Sequence, residues 1–222
     1  MRVRVLGEGF YASVYARNMA HFGHEYSRSE SDPVDVTVIA HERAEDSQLT
    51  SVMLGEVPSI IVTPLPFHNA GRLKPWVAYV PENLSRWHPD QALRSQPAGI
   101  VGRESVQFDG TYGRFLGSIY PVLFWSTPRV AALYKHMLSS YIATCLQLGN
   151  EWETAAKVLG ITEPTGPALH CLLQDHRVSQ DAPLKPGPFD GSHVLRDVLE
   201  FPQMEGTLLG RLRDLLRCEV GA

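Results

Sequence analysis

The stretch Pro128 to Gly160, PRVAALYKHMLSSYIATCLQLGNEWETAAKVLG, constrains the fold more than any other part of the chain. Val130, Leu133, Met137, Tyr141, Cys145, Leu148, Trp152, Ala155 and Leu159 recur at spacings of three and four. That is one apolar stripe on a helix of period about 3.6. Pro128 suits the first turn, where a missing N–H costs nothing, and Gly160 suits the end. At about 1.5 Å per residue such a helix crosses a whole small domain. It is expected to be either a spine or a dimer interface. Lys135, Ser139 and Asn150 fall off the stripe. They could face a cleft, although solvent is the commoner surrounding of a lysine.

The remainder is sufficient for one large domain or two small ones: 222 residues, 44% of them hydrophobic. The net charge of −4 and the lack of any Lys/Arg run argue against nucleic acid as a partner. Nothing approaches the roughly 18 apolar residues of a membrane span, and MRVRVLGEGF has neither the apolar run nor the cleavage site of a secretory leader. Cys145, Cys171 and Cys218 are odd in number and far apart, which excludes a disulfide framework. The nine histidines show no convincing ligand spacing, so no metal is expected. The setting these features describe is cytoplasmic.

Arg2 to Leu6 (RVRVL) alternates as a strand does and runs into Gly7-Glu8-Gly9-Phe10-Tyr11-Ala12, which opens a helix to about Phe22. This is the GxGxxG dinucleotide fingerprint with Ala12 in its last place. Gly7 makes the tight turn, Gly9 lets the backbone approach a pyrophosphate, and Ala12 lets helix and strand pack closely. The amides of Phe10 and Tyr11 at the helix start would hold the anion. The alternative is a nucleotide fold that has lost its ligand. A second strand begins at Gly23 to Tyr26, and Glu30, eighteen positions after Ala12, stands near where an acid binds the adenosine ribose. That favours NAD over NADP. Further strands are expected at 34–40, 59–63, 76–80 and 98–102. Helices are expected at 46–54, 112–120, 168–175, 192–199 and 207–218. The alternation reads as an α/β chain: a Rossmann-like parallel sheet over 1–127, followed by a helical domain over 128–222 with one long central helix.

Several segments in order resemble the UDP-glucose/GDP-mannose dehydrogenase family. GEGFYA and GHEYSRSE resemble its first strand, turn and ribose acid. SIIVTPLPFHN, VPENLSRWHP and LKPGPFDGSHVLRD are similar to its STVP, PEFLRE and GGSC segments. AALYKHMLSSYIATCLQLGNEWETAAKVLG aligns without a gap to its long helix. The resemblance implies a Rossmann domain, NAD, and a helical domain that dimerises through 128–160. It also implies that Lys135, Asp197 and Glu82 keep the family's site residues. His193 stands where the family has its nucleophilic cysteine, Arg86 where it has the second Glu of PEFLRE, Ser139 where it has Asn, and Pro64 where it has Thr. The segment after Glu30 is shorter than the family's, so part of the adenine-side wall is expected to be missing. No counterpart of the third, nucleotide-sugar-binding domain is expected.

Without the thiol, the thioester route to a second oxidation closes. The expected chemistry is at most one two-electron, NAD-dependent alcohol–carbonyl step on a small hydroxylated, sugar- or nucleoside-like substrate. His193 and Asp197 are four apart, on one face of a helix turn if Ser192 caps it. An Asp there fixes one imidazole tautomer and suits the ring to acid/base work near neutral pH. Lys135 would stabilise an alkoxide or take its proton, and Glu82 would complete the polar site. Arg86 and Ser139 would contact substrate. Two alternatives stay open. One is a non-redox lyase, isomerase or cyclase of a biosynthetic pathway. The other is an inactive scaffold or partner subunit, whose cleft would be plugged by Phe67, Trp87 or Phe189.

Overall fold

The computed structural model describes residues 1–27, 29, 31–41, 46, 50–51, 54–63, 70–81, 84, 88–162, 164–174, 198–199 and 207–220. The chain divides into two compact units, Met1–Lys135 and His136–Ala222.

The first unit begins with β1 (Arg2–Leu6), α1 (Phe10–Asn18), β2 (Glu25–Ser27), β3 (Val36–Ile39), β4 (Ser59–Ile61) and β5 (Val77–Tyr79). It continues with α2 (Pro89–Arg94), β6 (Ala98–Arg103), α3 (Asp109–Leu116) and β7 (Val122–Ser126). The described strands form one sheet in the order β2-β1-β3-β4-β5-β6-β7. All neighbours are parallel except β5 and β6. The Rossmann-like architecture expected of the sequence is therefore present, with one departure. The β6-α3-β7 segment is itself a parallel crossover unit, added in the opposite direction. Neither α2 nor β7 is foreseen by the sequence reading, and α1 ends at Asn18 rather than near Phe22. The polar helix expected over 46–54 and the helix expected over 192–199 lie mostly outside the described residues.

The central strands carry apolar residues on both faces because both faces are covered. All four residues of β3 (VTVI) are buried. Val38 belongs to a core with Tyr11, Val14, Tyr15, Tyr112 and Phe115 from α1 and α3. Its neighbour Ile39 belongs to a second core on the other face, with Ile61, Val77, Tyr79, Ala131 and Ala132. The alternation is the two-residue period of the strand. Ala131 and Ala132 come from α4 (Pro128–Val158), which continues into the second unit. A Cβ on Gly102 would meet the Pro128 Cα at 2.5 Å, so glycine in β6 lets the start of α4 lie against the sheet.

Polar ties hold the helices over their strands. Asn18 is fully buried; it donates to the Val14 carbonyl at 2.8 Å and to Asp90 at the start of α2 at 2.5 Å, and it accepts from Arg94 Nε at 2.7 Å. Hydrogen bonds from Arg17 and Asn18 hold the Asp90 carboxyl below its usual range. His24 is almost fully buried against the Phe115 ring, with Nε2 2.8 Å from Ser118 Oγ. Burial, and then the positive charge of the N-terminus, push its pKa down. The unfolded chain accordingly takes up a proton at pH below about 6.5 that the folded chain resists. Stability that is intact above that pH is lost as the pH falls through the depressed folded value. Thermal denaturation is expected to show a lower Tm at pH 5.5 than at 7.5. His24→Phe, which keeps a ring on Phe115, should flatten that slope. An unchanged slope would assign the acid sensitivity elsewhere.

In the second unit, the remainder of α4 is followed by α5 (Gly166–Leu173) and α6 (Leu208–Val220). The inward side of α4 is made of small and polar residues: His136, Ser139, Ser140 and Ala143 are buried. The apolar stripe faces out instead, with Met137 59%, Tyr141 49% and Trp152 42% exposed. Tyr141 hydrogen-bonds the buried Cys145 one turn on, which raises the phenol's pKa.

Candidate functional site

The chain leaves β1 toward β2 on one side of the sheet and returns to β3 on the other. The gap between β1 and β3 at their carboxyl ends is therefore the topological switch point, where open α/β sheets bind ligands. The Gly7–Gly9 turn stands there. Gly7 has φ +129° and Gly9 φ +86°. A Cβ on Gly7 would collide with the carbonyl of Ala40, and it would lie 3.0 Å from the His41 N, just past the end of β3. The turn is thus seated on the end of the neighbouring strand, and the Ala40 N–H donates to the Leu6 carbonyl at 2.8 Å. Gly9 is exposed and begins α1, where the Ser13 hydroxyl and N–H return to its carbonyl at 2.8 and 3.3 Å. Tyr11 and Ala12 are buried in the core beneath, and Phe10 packs at its edge. Glu8, between the two glycines, is exposed and puts a carboxylate on the same turn.

The ends of the next strands are aligned with this turn by ladder bonds. Val62 N–H donates to Ile39 O at 3.0 Å, and Val80 N–H to Ile61 O at 2.9 Å. Ala131 and Ala132 of α4 share a core with Ile39, Ile61 and Tyr79, the last residues of β3, β4 and β5. Lys135 follows Ala131 by one helical turn and is half-buried, with polar or electrostatic interactions of its own. Ser139, another turn along α4 and in the second unit, is 2% exposed. Lys135 and Ser139, two of the three residues off the apolar stripe, are therefore withdrawn from solvent, against the commoner fate of a helix lysine. His136 is also buried, and the sequence reading passed over it. Its signal was the four–three–four spacing of Ala132, His136, Ser139 and Ala143, a second helical face made of small and polar residues. Glu30, Glu82, Arg86, His193 and Asp197 lie outside the described residues, as do Phe67, Trp87 and Phe189.

On the adenine side, eight residues (28–35) connect β2 to β3. The described end of this connection lies at the start of β1, where the Asp35 N–H donates to the Arg2 carbonyl at 2.9 Å and the Arg2 N–H to the Asp35 carboxylate at 2.8 Å. Asp32 accepts from Arg2 Nη2 at 2.8 Å and from Ser27 Oγ at 2.9 Å. Among the described residues β2 is the edge of the sheet, with no strand beyond it.

No protein-family model and no curated protein matches the sequence. Solved structures do. The chain superposes over 99% of its length on 71% of a UDP-glucose dehydrogenase from the hyperthermophilic archaeon Pyrobaculum islandicum, with 17% identity and a TM-score of 0.71. It matches 70% of a UDP-D-ManNAc dehydrogenase from Pyrococcus horikoshii over its whole length, with 15% identity and a TM-score of 0.69. The chain has the fold of the nucleotide-sugar dehydrogenases. The same fold extends to a 3-hydroxyisobutyrate dehydrogenase from Salmonella typhimurium, of which 94% is covered at 12% identity with a TM-score of 0.66. The nucleotide-sugar dehydrogenase fold is thus reached twice, from the order of motifs along the chain and from the coordinates. Among the described residues no helix is long and apolar enough to cross a membrane.

Proposed function

We propose that the chain is an NAD-dependent oxidoreductase that performs at most one two-electron alcohol–carbonyl conversion. Its substrate would be a small hydroxylated, sugar- or nucleoside-like molecule in a biosynthetic pathway. The observation that carries this reading is the Gly7–Gly9 turn at the switch point, where a side chain on Gly7 would fill the seat the turn occupies. The start of α1 would hold the pyrophosphate on the backbone of Gly9, Phe10 and Tyr11, with Ala12 keeping helix and strand close. Glu30 would bind the ribose. NAD, when bound, supplies the hydride acceptor for such a conversion. Lys135 takes the hydroxyl proton or steadies the alkoxide, and His193, oriented by Asp197, relays it. Glu82 completes the polar site, and Arg86 and Ser139 contact the substrate. Because His193 replaces a thiol, the oxidation ends at the carbonyl. Residues 1–127 form the dinucleotide domain and 128–222 the substrate and pairing domain. Two copies pair through the exposed stripe of the 128–160 helix.

The test is titration of the full chain with NAD by calorimetry, followed by nicotinamide absorbance with UDP-glucose, UDP-ManNAc and 3-hydroxyisobutyrate, the substrates named for the structural relatives. Binding in the micromolar to low millimolar range is expected. Glu8→Gln should tighten it, because an exposed carboxylate on the same turn repels a pyrophosphate. A chain that binds no dinucleotide, with or without Glu8, would remove the redox reading. In that event the alternative is lyase, isomerase or cyclase chemistry on the same acid/base groups, without a dinucleotide.

A further inference from the structure

The two edges of the sheet are built differently. Edge strand β2 has three residues, EYS, and carries the exposed Glu25, which Arg2 meets at 3.3 Å. Edge strand β7 has five, VLFWS, and no residue from Pro121 to Pro128 is charged. It pairs with β6 at all five positions without a bulge. Natural sheets guard a free edge with charge, an inserted proline, a bulge or a very short strand. β2 has two of these guards, and β7 has none within its five residues. Among the described residues no strand lies beyond β7. The outer side of its backbone therefore presents N–H and C=O groups as a template for another strand.

Both faces of this edge are apolar. Leu123 packs at the rim of the core that holds Tyr112 and Phe115, and a Cβ on Gly113 would lie 3.8 Å from the Trp125 ring, so these two stand on the α3 side. Val122 and Phe124 stand on the opposite face by the two-residue period of a strand. They are 48% and 59% exposed. The cation beside the edge is already matched. The Arg103 guanidinium lies 4.8 Å from the centre of the Trp125 ring and donates to both Asp109 oxygens, at 2.5 and 2.7 Å.

We infer that β7 pairs antiparallel with β7 of a second copy of this chain, so that the sheet continues across a two-fold axis at Phe124. The register selects a second copy. An axis at residue 124 uses all five residues of the strand and sets Phe124 opposite the partner's Phe124. It also sets Leu123 opposite the partner's Trp125, and Val122 opposite the partner's Ser126. An aromatic pair at the axis, with an aromatic–aliphatic pair on each side of it, is the kind of cross-strand contact that stabilises antiparallel strands. Charge agrees as well. A strand paired with itself sets like charges near one another, and this strand has none to oppose. A five-residue strand is about 17 Å long and a sheet about 10 Å thick. The contact is therefore small beside the roughly 800 Å² per partner of a standard interface, and it forms reversibly as concentration rises. It is independent of the pairing through α4 proposed above, and a chain with two different two-fold contacts builds assemblies larger than a dimer.

The test uses the full chain with Cys145→Ala, Cys171→Ser and Cys218→Ser, to which either Phe124→Cys or Val122→Cys is added. Across the axis, Phe124→Cys brings two Cα atoms to about 4.5–5.5 Å, within reach of a disulfide. Val122→Cys leaves them four residues apart along the strand, about 13 Å, which is beyond that reach. Mild oxidation is expected to cross-link about fivefold more of the first variant than of the second on a non-reducing gel. In sedimentation velocity the native chain should gain mass as concentration rises. Phe124→Lys, which adds the charge that guards natural edges, should weaken that association about tenfold or more. Circular dichroism and Tm should stay near wild type, because the side chain is exposed. A native chain that gains no more mass than Phe124→Lys would overturn the contact, and so would equal cross-linking of the two cysteine variants. If Phe124→Lys lowers the mass but Phe124→Cys forms no cross-link, β7 meets a strand other than its own copy and the two-fold pairing is overturned.

Discussion

Gly7→Ala is expected to destabilise the first unit by about 3 kcal/mol or more, lowering Tm by roughly 6–12 °C for a chain of this size. Two effects add. The φ of +129° is a conformation only glycine adopts without strain, of order 1–3 kcal/mol for another residue. The new Cβ also meets the Ala40 carbonyl and can be relieved only by parting the ends of β1 and β3, an overpacking cost of about 1–3 kcal/mol. Gly23→Ala is the internal comparison. Gly23 has φ +75° with nothing within 4 Å of a Cβ, so only the left-handed backbone penalty of about 1–2 kcal/mol applies. Urea unfolding of the two variants at equal m separates the effects. The turn also carries the proposed pyrophosphate contact, so Gly7→Ala should weaken NAD binding by more than its stability loss accounts for. If it costs no more than Gly23→Ala, the turn is not seated on β3 and the site loses its geometry.

How much of this was legible in the sequence depended on whether local chemistry or tertiary context decided the residue. The β1–turn–α1 unit was legible because its glycines answer to backbone constraints within a few residues. The long helix was legible as a period, but a period does not say which side is buried. Apolar bulk marked one face, yet Ala131 and Ala132 pack in the core of the first unit, because a helix whose start lies against Gly102 leaves room there only for small residues, and in the second unit Ser139 and Ala143 are buried. His136, buried on the same helix, stood on the face that carries no apolar bulk. No residue of β6 announces its reversal against β5. Strand β7 (VLFWS) lies at the edge with Val122, Phe124 and Trp125 exposed, so it shows neither the alternation of a half-buried strand nor the partners of a central one. For His193, Asp197, Glu82, Arg86 and Glu30 the order of motifs along the chain remains the whole of the argument.

Lys135→Met is expected to lower kcat by about 10²- to 10⁴-fold with little change in KM, the pattern of a group that matters in the transition state more than in binding. Methionine keeps the length and apolar body of the lysine stem, so the loss reports the ammonium rather than packing. The expectation rests on where α4 carries this side chain. A lysine with no duty stays in water, because desolvating an ammonium is costly. Here it is half-buried one turn beyond two alanines packed in a core with the last residues of β3, β4 and β5, the edge at which the Gly7–Gly9 turn also stands. Lys135→Arg separates the two duties proposed for it. A guanidinium still steadies an alkoxide but does not give up its proton near neutral pH, so a recovery to within tenfold of wild type means charge stabilisation. A loss as deep as with methionine means proton transfer. His193→Ala should fall with Lys135→Met in the same kinetic term, and the double variant should lose little more than either one, since residues of one proton path are not additive. Should Lys135→Met turn over at the wild-type rate, the half-buried lysine is a structural cation, and the reading of the carboxyl edge as a reaction site fails with it.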